Sequence, residues 1–251
     1  MSLDRYLSKL GYGTRKQVAD LLSARRVTTA DGRVLRDSDA IVHDDMRVDG
    51  ELLDPPPGSV LLLNKPLNYV CSSQDRPPLV YDLFSPRFLA RDPVMSTVGR
   101  LDADTTGFLL LTDAGALNHR LTSPRTHVPK TYRATLDREM TDEVIPTFAS
   151  GTLLLRGETT PLAPAQAEPV SPLQVRLTIT EGRYHQVRRM FAALGYHVTA
   201  LHREGMGPLT LGDLESGAWR VLSSDEVEAL RTSAVKAPSV KPAGNSSKNS
   251  S

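Results

Sequence analysis

Apolar and polar positions along this 251-residue chain change period several times, and each change marks an element. Leu3, Tyr6, Leu7 and Leu10 recur at helical spacing, and Gly11 and Gly13 end the stripe. Thr14, with Gln17 three residues on, has the form of a capping box, and Val18, Leu21 and Leu22 give the apolar face of a second helix. Residues 27–29 with 34–35 read as a hairpin across Asp31-Gly32, and 48–52 as another across Asp49-Gly50. Asp54-Pro55-Pro56-Pro57-Gly58 continues neither helix nor sheet and marks a linker at 55–58. Beyond it, 60–63 reads as a buried strand, 72–78 as a polar loop, 79–84 as a short turn or helix, and 108–111 as a second apolar strand. A short helix at 116–121 precedes an alternating strand at 130–136. A helix candidate at 141–150 is interrupted by Pro146, and 151–172 is a polar, proline-containing excursion of weak pattern. A strand at 173–180 leads to Val187, Met190, Phe191 and Leu194, again at helical spacing and ended by Gly195. Residues 198–203 alternate as a strand, 209–214 and 219–222 continue the domain, and 225–230 is a last short helix. From 232 to 251 little can be buried, and the spacing predicts a disordered tail.

Composition narrows the setting. A single cysteine, Cys71, excludes an internal disulfide and fits a reducing compartment, the cytoplasm. Asp4 and Arg5 within an amphipathic start are wrong for a signal peptide, and no apolar run approaches a membrane span. The net charge is only +1, so a nucleic-acid partner requires cations gathered on particular faces. The first fifty residues gather them. Arg15 and Lys16 open the second helix, where cations oppose the dipole at a cost of a few tenths to about 1 kcal/mol. A helix start already favours anions, so added positive charge there suits a phosphate. Arg25, Arg26, Arg33 and Arg36 add to the same region; their alternative reading is a solvated basic face.

The chemistry points to residues 98–115. Arg100 and Asp102 stand two apart, a spacing that on a strand turns both side chains to one face, and Gly107 closes a polar turn. Three readings are open. Asp102, Asp104, Thr106, Gly107 and Asp113 approach the spacing of a calcium loop, though position twelve is Asp and position five Thr. The stretch also fits a strand-turn-strand with solvated carboxylates. The third reading is a catalytic Asp with an Arg partner. Farther on, Arg188 and Arg189 lie beside the apolar face of the predicted helix. His185 has no Cys or His companions at zinc-ligand spacing, and no phosphate-binding loop or dinucleotide fingerprint is present. The sequence calls for neither metal nor cofactor.

Gly-Arg-Leu-Asp (99–102), followed by Asp-Thr-Thr-Gly (104–107), an apolar run, Thr-Asp and Gly, resembles the central motif of the rRNA pseudouridine synthases. Asn64-Lys65-Pro66, Lys130-Thr131-Tyr132 and Glu-Gly-Arg-Tyr-His-Gln-Val-Arg-Arg-Met-Phe (181–191) resemble that family's other motifs, in the same order. The first fifty residues resemble an S4 RNA-binding domain. The resemblance implies an α+β chain: an S4-like module of helices and short strands at 1–54, then a synthase domain at 59–231 with a mixed, mainly antiparallel sheet flanked by helices. It implies that Asp102 is the catalytic residue and that Arg188 pairs with it. Tyr132 would stack on the target base and Leu201 would wall the uracil, each with an ordinary core role as its alternative, and Arg100 would fill the gap in the RNA or brace the loop. Arg15, Lys16, Arg25 and Arg26 would bind RNA. The motifs stand nearest the small-subunit branch, so the expected partner is 16S rRNA within a small-subunit assembly intermediate, met by a monomer. A large-subunit substrate is the alternative. Two other classes stay open: an RNA-binding protein without chemistry, and a glycosidase, for which Asp104 is poorly placed as second carboxylate.

Overall fold

The computed structural model describes residues 1–72, 76 and 78–234; most of the 72–78 loop and all of 235–251, with Lys236, Lys241 and Lys248, lie outside the described residues. The chain begins with α1 (Leu3–Lys9) and α2 (Arg15–Ser23), then β1 (Val27–Thr29), β2 (Met46–Val48) and β3 (Glu51–Leu52). Leu3, Leu7 and Leu10 are fully buried, and Thr14 caps α2 in a reciprocal box with Gln17. Asp49 and Gly50 both have positive φ, 55° and 82°, and join β2 to β3 as a tight hairpin. The other expected hairpin forms in minimal length: Thr29 N donates to Arg33 O and Leu35 N to Val27 O, both at 2.9 Å, around the 31–32 turn. Thr28 and Val34 make one isolated bridge, and β1 takes β2 as its antiparallel partner across a longer connection. These elements enclose their own core of Leu3, Leu7, Leu10, Val18, Val27, Leu35 and Met46.

The proline linker is clamped from both sides. Arg87 donates two hydrogen bonds to Asp54, at 2.5 and 3.1 Å, and lies over the Tyr12 ring. Arg91, with a side chain only 1% exposed, donates to Pro55 O at 2.8 Å and pairs with Asp113 at 3.2 Å; Asp113 also accepts from Gly58 N. Gly11 closes this joint. A Cβ at its φ of 87° would lie 2.3 Å from Arg87 O, so only glycine allows the approach.

The large sheet follows: β4 (Val60–Lys65), β5 (Ser96–Thr97), β6 (Thr105–Thr112), α3 (Gly115–Thr122), β7 (Lys130–Leu136), α4 (Val144–Ala149), β8 (Gln166–Ser171), β9 (Gln174–Ile179), α5 (Gln186–Ala193), β10 (Val198–Met206), β11 (Leu209–Thr210), β12 (Trp219–Val221) and α6 (Ser224–Ser233). Its strand order is β12-β4-β6-β10-β7-β9-β8, with β5 on β6 and β11 on β10. Among the described strands only β6 and β10 pair in parallel, so the sheet is mixed and mainly antiparallel. Strands β4 and β6 are buried at nearly every position and each carries an unbroken run of four apolar residues, because both their faces are covered. Leu61, Leu63, Leu109 and Leu111 enter one core, Val60, Leu62, Phe108 and Leu110 the other. Strands β7 and β9 alternate instead: Tyr132, Ala134, Leu177 and Ile179 face the first core, while Arg133 and Arg176 lie on the opposite face and clamp Glu204.

Two expectations change here. The 151–172 excursion contains β8, an edge strand whose pairing with β9 becomes irregular beside Pro169; proline breaks the alternation that identifies a strand yet is tolerated at a sheet edge. The tail expected from 232 starts inside α6, which runs to Ser233 behind a Ser223–Glu226 capping box.

Candidate active site

A cleft of about 430 Å³ opens where β6, β7 and β10 meet the start of α5. The loop carrying Asp102 forms one wall. Arg100 and Asp102 are not on a strand, where their spacing would turn both to one face: residues 98–104 form a loop between β5 and β6. Gly99 has φ 70°, and Thr105 N donates to Asp102 O at 3.1 Å. The buried Lys65 fixes this turn by donating to Ala103 O at 3.3 Å and Thr105 O at 2.8 Å. That tether is long-range and absent from the local pattern. Gly107 lies within β6, not in a turn. A Cβ there would fall 2.3 Å from Arg203 O, so glycine permits close approach of the parallel strands. Positions five and six of the calcium-loop spacing are therefore in a strand.

Asp102, Tyr132, Arg188, Leu201 and Arg100 all line this cleft. The structure thus brings together the five residues expected there. Tyr132 from β7 and Leu201 from β10 are both buried and belong to the first core as well as to the cleft wall. Arg100 is exposed, without an ion pair or hydrogen bond to any described residue. The expected Arg188–Asp102 pair is absent. Arg188 instead pairs with Asp104 at 2.9 Å and donates to Asp104 O and Val198 O. The 103–104 turn presents the second carboxylate to α5, and the guanidinium binds the turn through that side chain and the backbone together. Neither helix arginine is free in solvent: Arg189 pairs with Glu158 and donates to Tyr184 O and Arg156 O.

The neighbour Asp102 does have is His185, with Nε2 3.3 Å from Asp102 Oδ1. His185 precedes α5 in a left-handed conformation, φ 47° and ψ 33°. Such a conformation costs a non-glycine residue of order 1 kcal/mol or more and persists only where the surroundings fix it.

Three more polar side chains complete the walls. Lys130 stands two residues before Tyr132 on β7, and Arg203 two after Leu201 on β10, so strand alternation already assigns each to its partner's face. Arg203 is fully buried and donates from Nε to Phe108 O at 2.6 Å. Lys130 donates to Val128 O at 3.2 Å, and burial, reinforced by Arg203, pulls its ammonium down to about 8. Thr105 begins β6. Among the described residues, five buried side-chain N or O atoms lack a partner; two are on Arg91, and the others are Thr105 Oγ1, Arg188 Nε and Arg203 Nη2. The last three belong to residues that line the cleft. No group of three His, Cys, Asp or Glu side chains among the described residues has the arrangement of a metal site.

The expected RNA-binding cations are all exposed on or beside α2, but not equally free. Arg15 pairs with Asp4 of α1 at 2.7 Å, and Arg26 makes two 2.6 Å bonds to Asp49. Lys16 and Arg25 pair with no described residue. Arg25 sits just past α2 at φ 58°, the left-handed cap position that glycine usually occupies.

Comparison with known proteins places this geometry. Residues 59–193 match the RNA pseudouridylate synthase family. The chain is 44% identical over 237 residues to ribosomal small subunit pseudouridine synthase A of Yersinia pestis, covering 92% of this chain and 98% of that protein. It is 40% identical over 236 residues to the protein of that name from Escherichia coli K12, covering 92% and 100%. A crystal structure described as pseudouridylate synthase superposes with a TM-score of 0.65 at 40% identity, covering 92% of this chain and 99% of that one. No helix among the described residues is long and apolar enough to cross a membrane. The matched residues contain both the Asp102 loop and the helix that carries Arg188, and on these likenesses the chain belongs to the RNA pseudouridylate synthase family.

Proposed function

We propose that this protein isomerises a uridine of 16S rRNA to pseudouridine, with Asp102 as the catalytic residue. The observation that carries the reading is the half-exposed Asp102 carboxylate in a cleft that also contains Tyr132, Leu201 and buried donors without partners. The relatives named as small-subunit synthases supply the choice of 16S rRNA. Residues 1–54 are an S4-like RNA-binding module, 55–58 the linker and 59–231 the catalytic domain. RNA binds through Lys16 and Arg25, aided by Arg15 and Arg26. The substrate is rRNA in a small-subunit assembly intermediate, met by a cytoplasmic monomer.

A uracil inside a stack is out of reach, so it is flipped out, at a cost of a few kcal/mol. Tyr132 stacks on it and Leu201 closes the other side. The N1–C1′ bond breaks, the base turns, and C5 bonds to C1′; the C5 proton leaves as N1 gains one, so the change is mass-neutral and needs no oxidant or reductant. Asp102 acts either as nucleophile or as the base that removes a ribose proton. Arg188 and Lys65 hold the 102–105 turn and thereby the direction of the carboxylate, and Arg100 occupies the space the uridine leaves.

The test is Asp102→Asn, assayed on small- and large-subunit rRNA separately, with pseudouridine mapped by chemical adduct and primer stop. The expected result is pseudouridine in small-subunit rRNA with the native protein and none with the variant, while RNA binding is retained. Normal turnover by the variant refutes the assignment, product in large-subunit rRNA alone moves the substrate, and free uracil as product indicates a glycosidase.

A further inference from the structure

Tyr184 is the one large aromatic at the cleft left open to solvent, 73% exposed among the described residues. Its ring is not loose. It stacks on His185 with centroids 3.8 Å apart and planes 19° from parallel. His185 in turn reaches Asp102 Oδ1, so the outer face of Tyr184 lies one ring away from the site of reaction. The backbone on either side is held as well. Arg183 pairs with Glu158 and Glu181 and donates to Thr160 O and Pro161 O, and Arg189 donates to Tyr184 O at 3.1 Å. His185 itself is held at a left-handed φ of 47°. One face of the phenol ring is thus committed to His185, and the other is presented flat to solvent at the rim.

Flipping a uridine leaves the next base in the strand without one of its stacking partners. A rigid aromatic face at the rim replaces that partner with no sequence-specific hydrogen bond, since every base has a π-face. We propose that the outer face of Tyr184 is a stacking subsite for the nucleobase adjacent to the extruded uridine in the same strand, with purines favoured for their larger ring. The inference rests on the reading of the cleft as a uridine site and adds the contact that secures the neighbouring nucleotide.

The experiment uses the full chain and a short rRNA fragment carrying the target uridine, in three forms: intact, abasic on the 5′ side and abasic on the 3′ side. Tyr184→Ala is expected to raise KM roughly tenfold on intact RNA with a smaller effect on kcat, and Tyr184→Phe to keep the native KM. On one of the two abasic fragments the native protein and Tyr184→Ala should become equal, which identifies the stacked nucleotide. An unchanged KM for Tyr184→Ala overturns the proposal. So does a deficit that persists on both abasic fragments, which would show that the tyrosine only supports His185, and so does a Phe variant as impaired as the Ala variant. If the native protein makes pseudouridine in the intact fragment while any of these holds, only the subsite falls; if it makes none in the fragment, in whole rRNA or in a small-subunit assembly intermediate, the reading of the cleft falls with it.

Discussion

The cations of the N-terminal module and those of the cleft are held in opposite ways. Arg15 and Arg26 lie on the surface, with side chains 67% and 52% exposed, and each is matched to a carboxylate of its own module. Arg203, Lys130 and Arg188 are buried or partly buried and are held mainly by backbone carbonyls, those of Phe108, Val128, Val198 and Asp104; the only carboxylate among their partners is the exposed Asp104. A carboxylate cancels a charge as it fixes it. A carbonyl dipole fixes a charge and leaves it uncancelled. Taking such charges out of water costs several kcal/mol each unless something compensates, and a polyanion is a suitable compensator. Composition gives nearly equal acids and bases, but Arg203 and Lys130 in the cleft and Lys16 and Arg25 in the N-terminal module are among the cations that no carboxylate cancels.

The sharpest way to break this contrast is Arg188→Gln. The substitution removes the charge and most of the bonds that tie α5 to the 103–104 turn and to Val198 O. Turnover should fall roughly a hundredfold, about 2.7 kcal/mol of transition-state stabilisation, with RNA affinity little changed. Single-turnover assays at saturating enzyme measure it. A fall in affinity with unchanged single-turnover rate would mean that Arg188 serves as one more phosphate contact and not as a brace for the Asp102 loop.

How far the sequence reaches follows the same division between local and distant causes. Strand β7 is found at 130–136 as its alternation predicts, and α5 ends at Gly195, because those signals lie within a few residues of what they control. The five cleft residues named from motif resemblance come together in one cavity. What the local pattern does not show is set by partners far along the chain. Lys65 reaches forty residues to make 98–104 a loop, and Asp104 diverts Arg188 from Asp102. Lys130 and Arg203 were within reach of simple alternation, each two positions from a residue already placed in the site. His185 was not, because its approach to Asp102 depends on a left-handed turn that no composition rule assigns to histidine.

Lys130 gives a smaller effect with a definite sign. Burial sets its ammonium at about 8, well below the ordinary lysine value of 10.5. Below pH 8 the cleft carries its positive charge, and above it the charge is lost, so RNA affinity should drop severalfold between pH 7 and pH 9. Folding stability moves the other way. The unfolded chain keeps the proton up to about 10.5, so the penalty for burying the charge is full below pH 8 and is relieved as pH rises from 8 towards 10.5. Lys130→Met should flatten both dependences, and Lys130→Arg should keep affinity at pH 9. Fluorescence anisotropy and denaturant titrations across that range test the pair of slopes. Parallel changes in affinity and stability would show that another group controls the site.

The N-terminal module supplies the finest test, because the four cations expected to bind RNA differ in whether an acid already answers them. Lys16→Ala and Arg25→Gly should each weaken RNA binding a few-fold and lower the slope of log affinity against log salt by about 0.7 to 1, the signature of one lost phosphate contact. Arg25→Gly should also relieve the strain at φ 58°, so the variant gains stability as it loses affinity. Arg15→Ala and Arg26→Ala should change affinity by no more than about twofold, since each guanidinium is already committed to Asp4 or Asp49 and is not free to meet a phosphate. Equal losses from all four variants would mean that RNA competes successfully for the paired arginines, and that surface ion pairs in this module are reserves of binding charge and not its cancellation.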